Sequence, residues 1–188
     1  MHLTEVSEIC FFNDYGGLVL FCFLQKTDCV LGYMVNWIQG HDLGREFKAL
    51  VTHDGVFSMT AQLSSEELWF PQHDLGGTLW DNPEGWSKWD PSRFTENWET
   101  PHLIIHSELD YRLTDAEGLA AFNVLQARGV ESQYLTFPDE AHQVLKPENS
   151  LLWNTVVLDW INPKVGLPKF SDVNANAKRL LTEAIQSL

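Results

Sequence analysis

Two residues carry most of the chemical interest of this 188-residue chain: Asp110, in Glu108-Leu109-Asp110-Tyr111-Arg112, and His142, in Pro138-Asp139-Glu140-Ala141-His142. An imidazole can take a proton from an attacking nucleophile and return it to a leaving group. It does so well only when a carboxylate on its other ring nitrogen fixes the tautomer and stabilises the imidazolium. Taken singly, an aspartate in a turn and a histidine in a polar loop are ordinary. Taken together, each just past a strand signal, they are candidates for an acid and a base that serve a nucleophile elsewhere.

The elements that must position them can be read outward from the pair. Residues 102–106 enclose Leu103, Ile104 and Ile105, a buried-strand signal, and the polar turn after it holds Asp110. Thr114 can cap a helix, with Glu117 at the capping-box spacing and Leu119, Ala120, Phe122, Val124 and Leu125 leading to Gly129. Residues 133–137 make the next strand, with His142 in the loop at its end, and Asn149 or Ser150 opens a helix through Leu152, Trp153, Val156, Val157 and Trp160. Upstream, residues 33–43 space Met34, Val35, Trp37, Ile38 and Leu43 along one side of a helix that Gly44 can stop. Residues 47–51 read as a buried strand. Strands alternating with helices predict the α/β class, with a parallel sheet and right-handed crossovers. Ligands bind such sheets at the carboxyl ends of the strands, the edge on which Asp110 and His142 both fall.

Residues 57–101 interrupt this alternation with Trp69, Trp80, Trp86, Trp89 and Trp98 among Pro71, Pro83 and Pro91. Short helices joined by turns are expected there, the tryptophans pinning the excursion against the sheet. An aromatic platform for sugar or peptide is the alternative. Residues 164–169 read as a linker, and residues 172–188 as an amphipathic helix assigned to packing.

Twelve basic against twenty-six acidic side chains give a net charge of −14, which repels phosphate backbones and anionic membrane surfaces. Neither nucleic acid nor membrane is an expected partner. The apolar run at residues 16–24 is too short to span a bilayer, and it lacks the basic flank and cleavage site of an export signal. Cys10, Cys22 and Cys29 are an odd set confined to the start, so no disulfide framework is expected. No metal-ligand spacing appears, and neither metal nor cofactor is expected. His2, His41, His53, His73 and His102 lack a carboxylate in register, and His106, ending a strand, reads as structural. Residues 1–31, rich in phenylalanine and without a period, read as foreign to the fold, as an unspliced intron or a misplaced start would be. Residues 32–165 form the organised part, and residues 166–188 the linker and terminal helix.

Over residues 32–165 the sequence resembles the C-terminal part of the peptidase domain of the prolyl oligopeptidase family, and within it the secreted fungal dipeptidyl-peptidases. The resemblance rests on Gly32-Tyr33-Met34-Val35-Asn36-Trp37-Ile38-Gln39-Gly40, the stretches around Gly76-Gly77-Thr78 and Asn82-Pro83-Glu84-Gly85, and Asp110-Tyr111-Arg112. It implies the C-terminal half of an α/β-hydrolase sheet, serine-dependent cleavage of short peptides without a cofactor, and secretion. It also implies Asp110 as the acid, His142 as the base, and Arg112 as a planar fork for a substrate carbonyl or carboxylate. An ordinary salt bridge is the alternative for Arg112.

One departure falls where the chemistry should be. The family's nucleophile elbow reads Gly-x-Ser-x-Gly-Gly before the helix, and in register stands Thr27-Asp28-Cys29-Val30-Leu31-Gly32. Only the last glycine matches. A strained strand-to-helix turn tolerates Thr27 and Leu31 badly, so Cys29 at the serine position reads as coincidence although a thiolate beside a histidine can attack. The oxyanion donors of that turn and of an upstream loop are missing too, and one such donor is worth about 100- to 1,000-fold in rate. Three expectations follow for the chain as written: catalytic silence, self-association through an exposed sheet edge, and a strand within residues 18–24 substituting for an upstream one. The competing readings are a non-catalytic binding module and an esterase or acylaminoacyl hydrolase, since one triad runs all these reactions.

Overall fold

The computed structural model describes residues 18–21 and 30–186. Four parallel strands form one sheet in chain order: β1 (Leu18–Phe21), β2 (Phe47–His53), β3 (His102–Ser107) and β4 (Ser132–Phe137). β1 lies within the run expected to supply a substitute strand; residues 22–24 of that run are outside the described residues.

The two central strands are apolar on both faces because both are covered. Ala49, Val51, Leu103 and Ile105 pack with Trp153, Val157, Trp160 and Ile161 of a long helix, α5 (Pro147–Lys164). Ile104 points the other way, to Ala121 and Leu125 of α4 (Asp115–Ala127) and to Phe57 and Trp98. Ile104, Leu125 and Trp98 are almost wholly buried, and each aliphatic side chain so buried contributes about 1.5–3 kcal/mol.

α1 (Val30–Gln39) lies against β2. Contact there is backbone to backbone: a Cβ on Gly32 would meet Gly55 Cα at 2.5 Å, and one on Gly55 would meet Gly32 C at 2.7 Å. Any side chain at either position would push the start of α1 off the end of β2. Polar atoms buried beneath this crossing are satisfied in series. Asn36 Nδ2 donates to Val56 O at 2.9 Å, and Thr52 Oγ1 donates to Asn36 Oδ1 at 3.1 Å. The Thr52 hydroxyl then accepts from His102 Nε2 at 2.8 Å, which places the ring proton on Nε2. Burial pushes the His102 pKa down to about 3 and holds that ring neutral.

Several local expectations are corrected. α1 ends at Gln39, and Gly44 lies instead in a 3-10 turn, Asp42–Glu46, leaving Leu43 exposed. Thr114 does precede α4, but no capping box forms, because Glu117 reaches away to residues 57–62. α5 starts at Pro147, where proline's fixed φ and missing N–H suit a first turn. The terminal helix divides into α6 (Phe170–Val173) and α7 (Ala175–Gln186), joined at Asn174, and Val173 faces solvent. The excursion contains the short helices α2 (Trp69–Asp74) and α3 (Pro83–Lys88), and its tryptophans split: Trp86 and Trp98 are buried, while Trp69, Trp80 and Trp89 are exposed. Among the described residues no helix is long and apolar enough to cross a membrane.

Candidate active site

Asp110 and His142 meet at the carboxyl edge of the sheet, His142 Nδ1 lying 2.8 Å from Asp110 Oδ2. The turn after β3 fixes the aspartate, whose Oδ1 accepts from Arg112 N and Leu113 N, both at 2.9 Å. All three partners are N–H groups aimed at a side chain with no solvent exposure, the setting that makes a buried carboxylate tolerable. An ionised carboxylate can only accept, so the ring proton sits on His142 Nδ1 and the lone pair of the neutral ring is on Nε2. That nitrogen faces away from the aspartate on a ring whose side chain is 22% exposed.

The loop that carries His142 is held by Glu140, which sequence reasoning missed. Its buried carboxylate accepts from Leu145 N at 3.1 Å, Lys146 N at 2.9 Å and Asn149 Nδ2 at 2.8 Å, closing the loop onto the start of α5. Its backbone oxygen accepts from Leu109 N at 3.1 Å, stapling the histidine loop to the aspartate turn. A carboxylate shortly before a helix N-terminus was the available signal.

Arg112 points at Glu67, with Nη2 3.3 Å from Oε2. Around it the turn is tied to the excursion: Ser65 Oγ donates to Arg112 O at 2.6 Å, and Glu66 N to Tyr111 O at 2.9 Å. The structure therefore gives Arg112 the ion pair that was its alternative reading, one residue beyond the acid's neighbour Tyr111. Cys29 and the rest of the elbow register, residues 27–29, lie outside the described residues, as do Cys10 and Cys22; Val30 opens α1.

Two further groups come within reach. His106, fully buried, donates from Nε2 to Leu113 O at 2.8 Å; the same nitrogen is 3.6 Å from Asp110 Oδ2 and 3.9 Å from Asp54 Oδ1. Its reading as structural fits that bond. His53, read as lacking a carboxylate, has one, Asp54 Oδ2 at 3.0 Å from Nε2. Asp54, His106 and Asp110 each offer an atom within 4.8 Å of the others, but the bonds to Leu113 O and His142 already use His106 Nε2 and Asp110 Oδ2. This donor set reads as a hydrogen-bonded cluster and not as a cation cage.

Burial opposes charge on His142, as does Arg112, but the hydrogen bond and charge of Asp110, with Asp54 farther off, outweigh them and raise its pKa. A raised midpoint means that the stabilisation from the pair is complete below the ordinary histidine value of about 6.5 and is lost as pH rises through the folded-state midpoint. Nitrogen-detected NMR of the imidazoles should place His142 above that value, with Asp110→Asn bringing it down. A midpoint at or below the ordinary value in the parent chain would contradict this geometry.

Residues 32–167 match the model of the prolyl oligopeptidase family. This chain belongs to that family. Dipeptidyl-peptidase 5 of Schizosaccharomyces pombe is 55% identical over 146 residues, which are 77% of this chain and 21% of that one. The probable dipeptidyl-peptidase 5 of Emericella nidulans is 58% identical over 138 residues, 72% of this chain and 19% of that one. The family member here thus spans about a fifth of the length of these curated relatives. Among solved structures, an orthorhombic form of Pyrococcus horikoshii acylaminoacyl peptidase superposes with a TM-score of 0.68 at 25% identity, over 89% of this chain and 27% of that one. The expected C-terminal part of an α/β-hydrolase sheet is therefore present.

Proposed function

We propose that this chain supplies the acid and base of a serine peptidase of the dipeptidyl-peptidase kind, with short peptides as substrates. The supporting observation is the 2.8 Å bond between His142 Nδ1 and Asp110 Oδ2, in a chain of this family. In the proposed reaction His142 Nε2 takes the proton of the serine hydroxyl as its oxygen attacks the scissile carbonyl. Asp110 stabilises the imidazolium, and the same proton passes to the departing amine. Water then repeats the sequence on the acyl-enzyme. Arg112 would reach a substrate carbonyl only after leaving Glu67. An apolar cavity of about 340 Å³ between α1 and α2, lined by Tyr33, Trp37, Val56, Met59 and Phe70, is of ligand-pocket size and suits an apolar substrate side chain.

The 188 residues contain no glycine-serine elbow in register, so the polypeptide by itself is proposed to be silent. A chimera tests both halves of the reading: residues 32–165 replace the matched segment of the Schizosaccharomyces pombe relative, which retains its own upstream sequence. The chimera should release product from a dipeptide-linked chromogenic amide, while the 188-residue chain stays at background. A folded, active chimera that is indifferent to His142→Ala would sink the assignment of the base, and hydrolysis by the chain alone would sink its silence.

A further inference from the structure

Behind the Asp110–His142 pair sits a second buried carboxylate that the triad chemistry does not use. Asp54 follows β2 directly and is 2% exposed. Its φ of +46° makes it the one non-glycine residue in the left-handed region among the described residues. A buried non-glycine residue held in that conformation is strained unless its surroundings require it. Here they do. The ladder between β2 and β3 ends with Asp54 N donating to Ile105 O at 3.0 Å. The backbone then turns away toward Gly55 and its contact with Gly32, and the side chain takes over the pairing: Asp54 Oδ1 accepts from Ser107 N at 3.3 Å. Ser107 is the last residue of β3, three positions before Asp110.

We propose that Asp54 is a positioning residue for the Asp110–His142 pair: its carboxylate fastens the end of β2 to the root of the turn that carries Asp110 and, with Asp110, brackets the Nε2–H of His106. This role rests on the proposed acid and base assignments. Three sheet-edge segments are thereby locked together: Asp54 after β2, Ser107 to Leu113 after β3, and, through Asp110, His142 after β4. His106 sits between the two carboxylates with its N–H bonded to Leu113 O, so its positive edge faces both negative groups. Gly118 on α4 backs the ring, since a Cβ there would come within 2.7 Å of His106 Cβ. The ring has no room to retreat from the carboxylates.

The role differs from that of a fold anchor in what it does to His142. The charged groups facing that ring are Asp110 and Arg112 from the turn after β3 and Asp54 from the end of β2; burial and Arg112 act against its charge, while Asp110 and Asp54 favour it. His106 and His53 touch Asp54 from β3 and β2. Removing the charge of Asp54 while keeping its shape should lower the His142 midpoint without breaking the Nδ1–Asp110 bond.

Asparagine is the suitable replacement, because it tolerates the left-handed conformation and still presents an oxygen to Ser107 N. In the full 188-residue chain, Asp54→Asn should lower the His142 midpoint, with the downfield Nδ1 proton signal retained. Asp54→Ala should lower it too and also broaden or erase that signal, because the clamp on the aspartate turn is gone. An unchanged midpoint in Asp54→Asn would overturn the electrostatic half of the proposal. A sharp Nδ1 signal in Asp54→Ala would overturn the positional half. Hydrogen exchange in the unsubstituted chain needs no variant to fold: Ser107 N–H should be protected to the same degree as the β3 ladder amides, and free exchange there would exclude the clamp. None of these readouts requires turnover, so a chimera that fails to cleave peptides while they come out as expected would remove the peptidase reading and leave the positional one.

Discussion

Asp110→Asn in the chimera is expected to lower kcat about 10,000-fold with little change in KM, equivalent to about 5.5 kcal/mol of lost transition-state stabilisation. The size of the effect follows from which oxygen does what. Oδ1 accepts from two backbone amides, Arg112 N and Leu113 N, so the asparagine's remaining carbonyl oxygen will settle there. Its NH2 group then faces His142 Nδ1 and can only donate. The imidazole must present a lone pair at Nδ1 and carry its proton on Nε2, the nitrogen that has to receive the nucleophile's proton. Geometry survives and the tautomer is wrong. The measurement is steady-state hydrolysis of a dipeptide-linked chromogenic amide, and a loss smaller than tenfold would mean that Asp110 is not the acid.

The contribution of one buried carboxyl to stability should fall as pH rises from 5 to 8, by roughly 2–3 kcal/mol, against a rise of about 2 kcal/mol from buried His102, whose lowered pKa acts in the opposite direction. Glu117 on α4 has its pKa pushed up to about 7 by burial, against the pull of Ser58 N, Phe57 N and Gln62 Nε2, and with the nearby charge of Asp90 adding to the rise. A carboxyl with a folded-state pKa above its unfolded one stabilises most at low pH. Its contribution is complete below about 4.5, the unfolded value, and is lost as pH rises through the folded-state midpoint. Glu117→Gln should remove that fall: the amide oxygen can take the two backbone donors, and the Gln62 amide can flip to accept from the new NH2. Urea denaturation of parent and variant at several pH values tests this, and a stability difference between them that is the same at pH 5 and pH 8 would refute it.

The same glutamate shows where local sequence reading fails. Its spacing from Thr114 is that of a capping box, but its oxygens are taken by amides 59 and 60 positions away, partners that no local pattern discloses. The strands were legible because both faces of β2 and β3 are covered, which writes continuous apolar runs. Asp110 and His142 were legible because each follows such a run by a few residues, in the order the fold demands. Asp54 was not. It directly follows β2 and precedes Gly55, so His53-Asp54-Gly55 reads as a turn closing a strand, and only the positive φ and the bond to Ser107 N reveal otherwise. The tryptophans of the excursion share one composition and divide by what the folded chain sets beside them, Phe57 in the case of Trp98 and open solvent in the case of Trp80.

The chain order of the sheet has a consequence for synthesis on the ribosome. Each strand pairs with the one made before it, so the sheet can lengthen from its first strand as the polypeptide emerges. Its cover on one side cannot keep pace. Ala49 and Val51 wait for α5, and Trp160, whose Nε1 donates to Leu50 O, is made 110 residues later. At about 5–20 residues per second, that side of a nascent β2 stands bare for roughly 5 to 20 s. Holdase chaperones that recognise exposed aliphatic strands would have their window then, before α5 seals it.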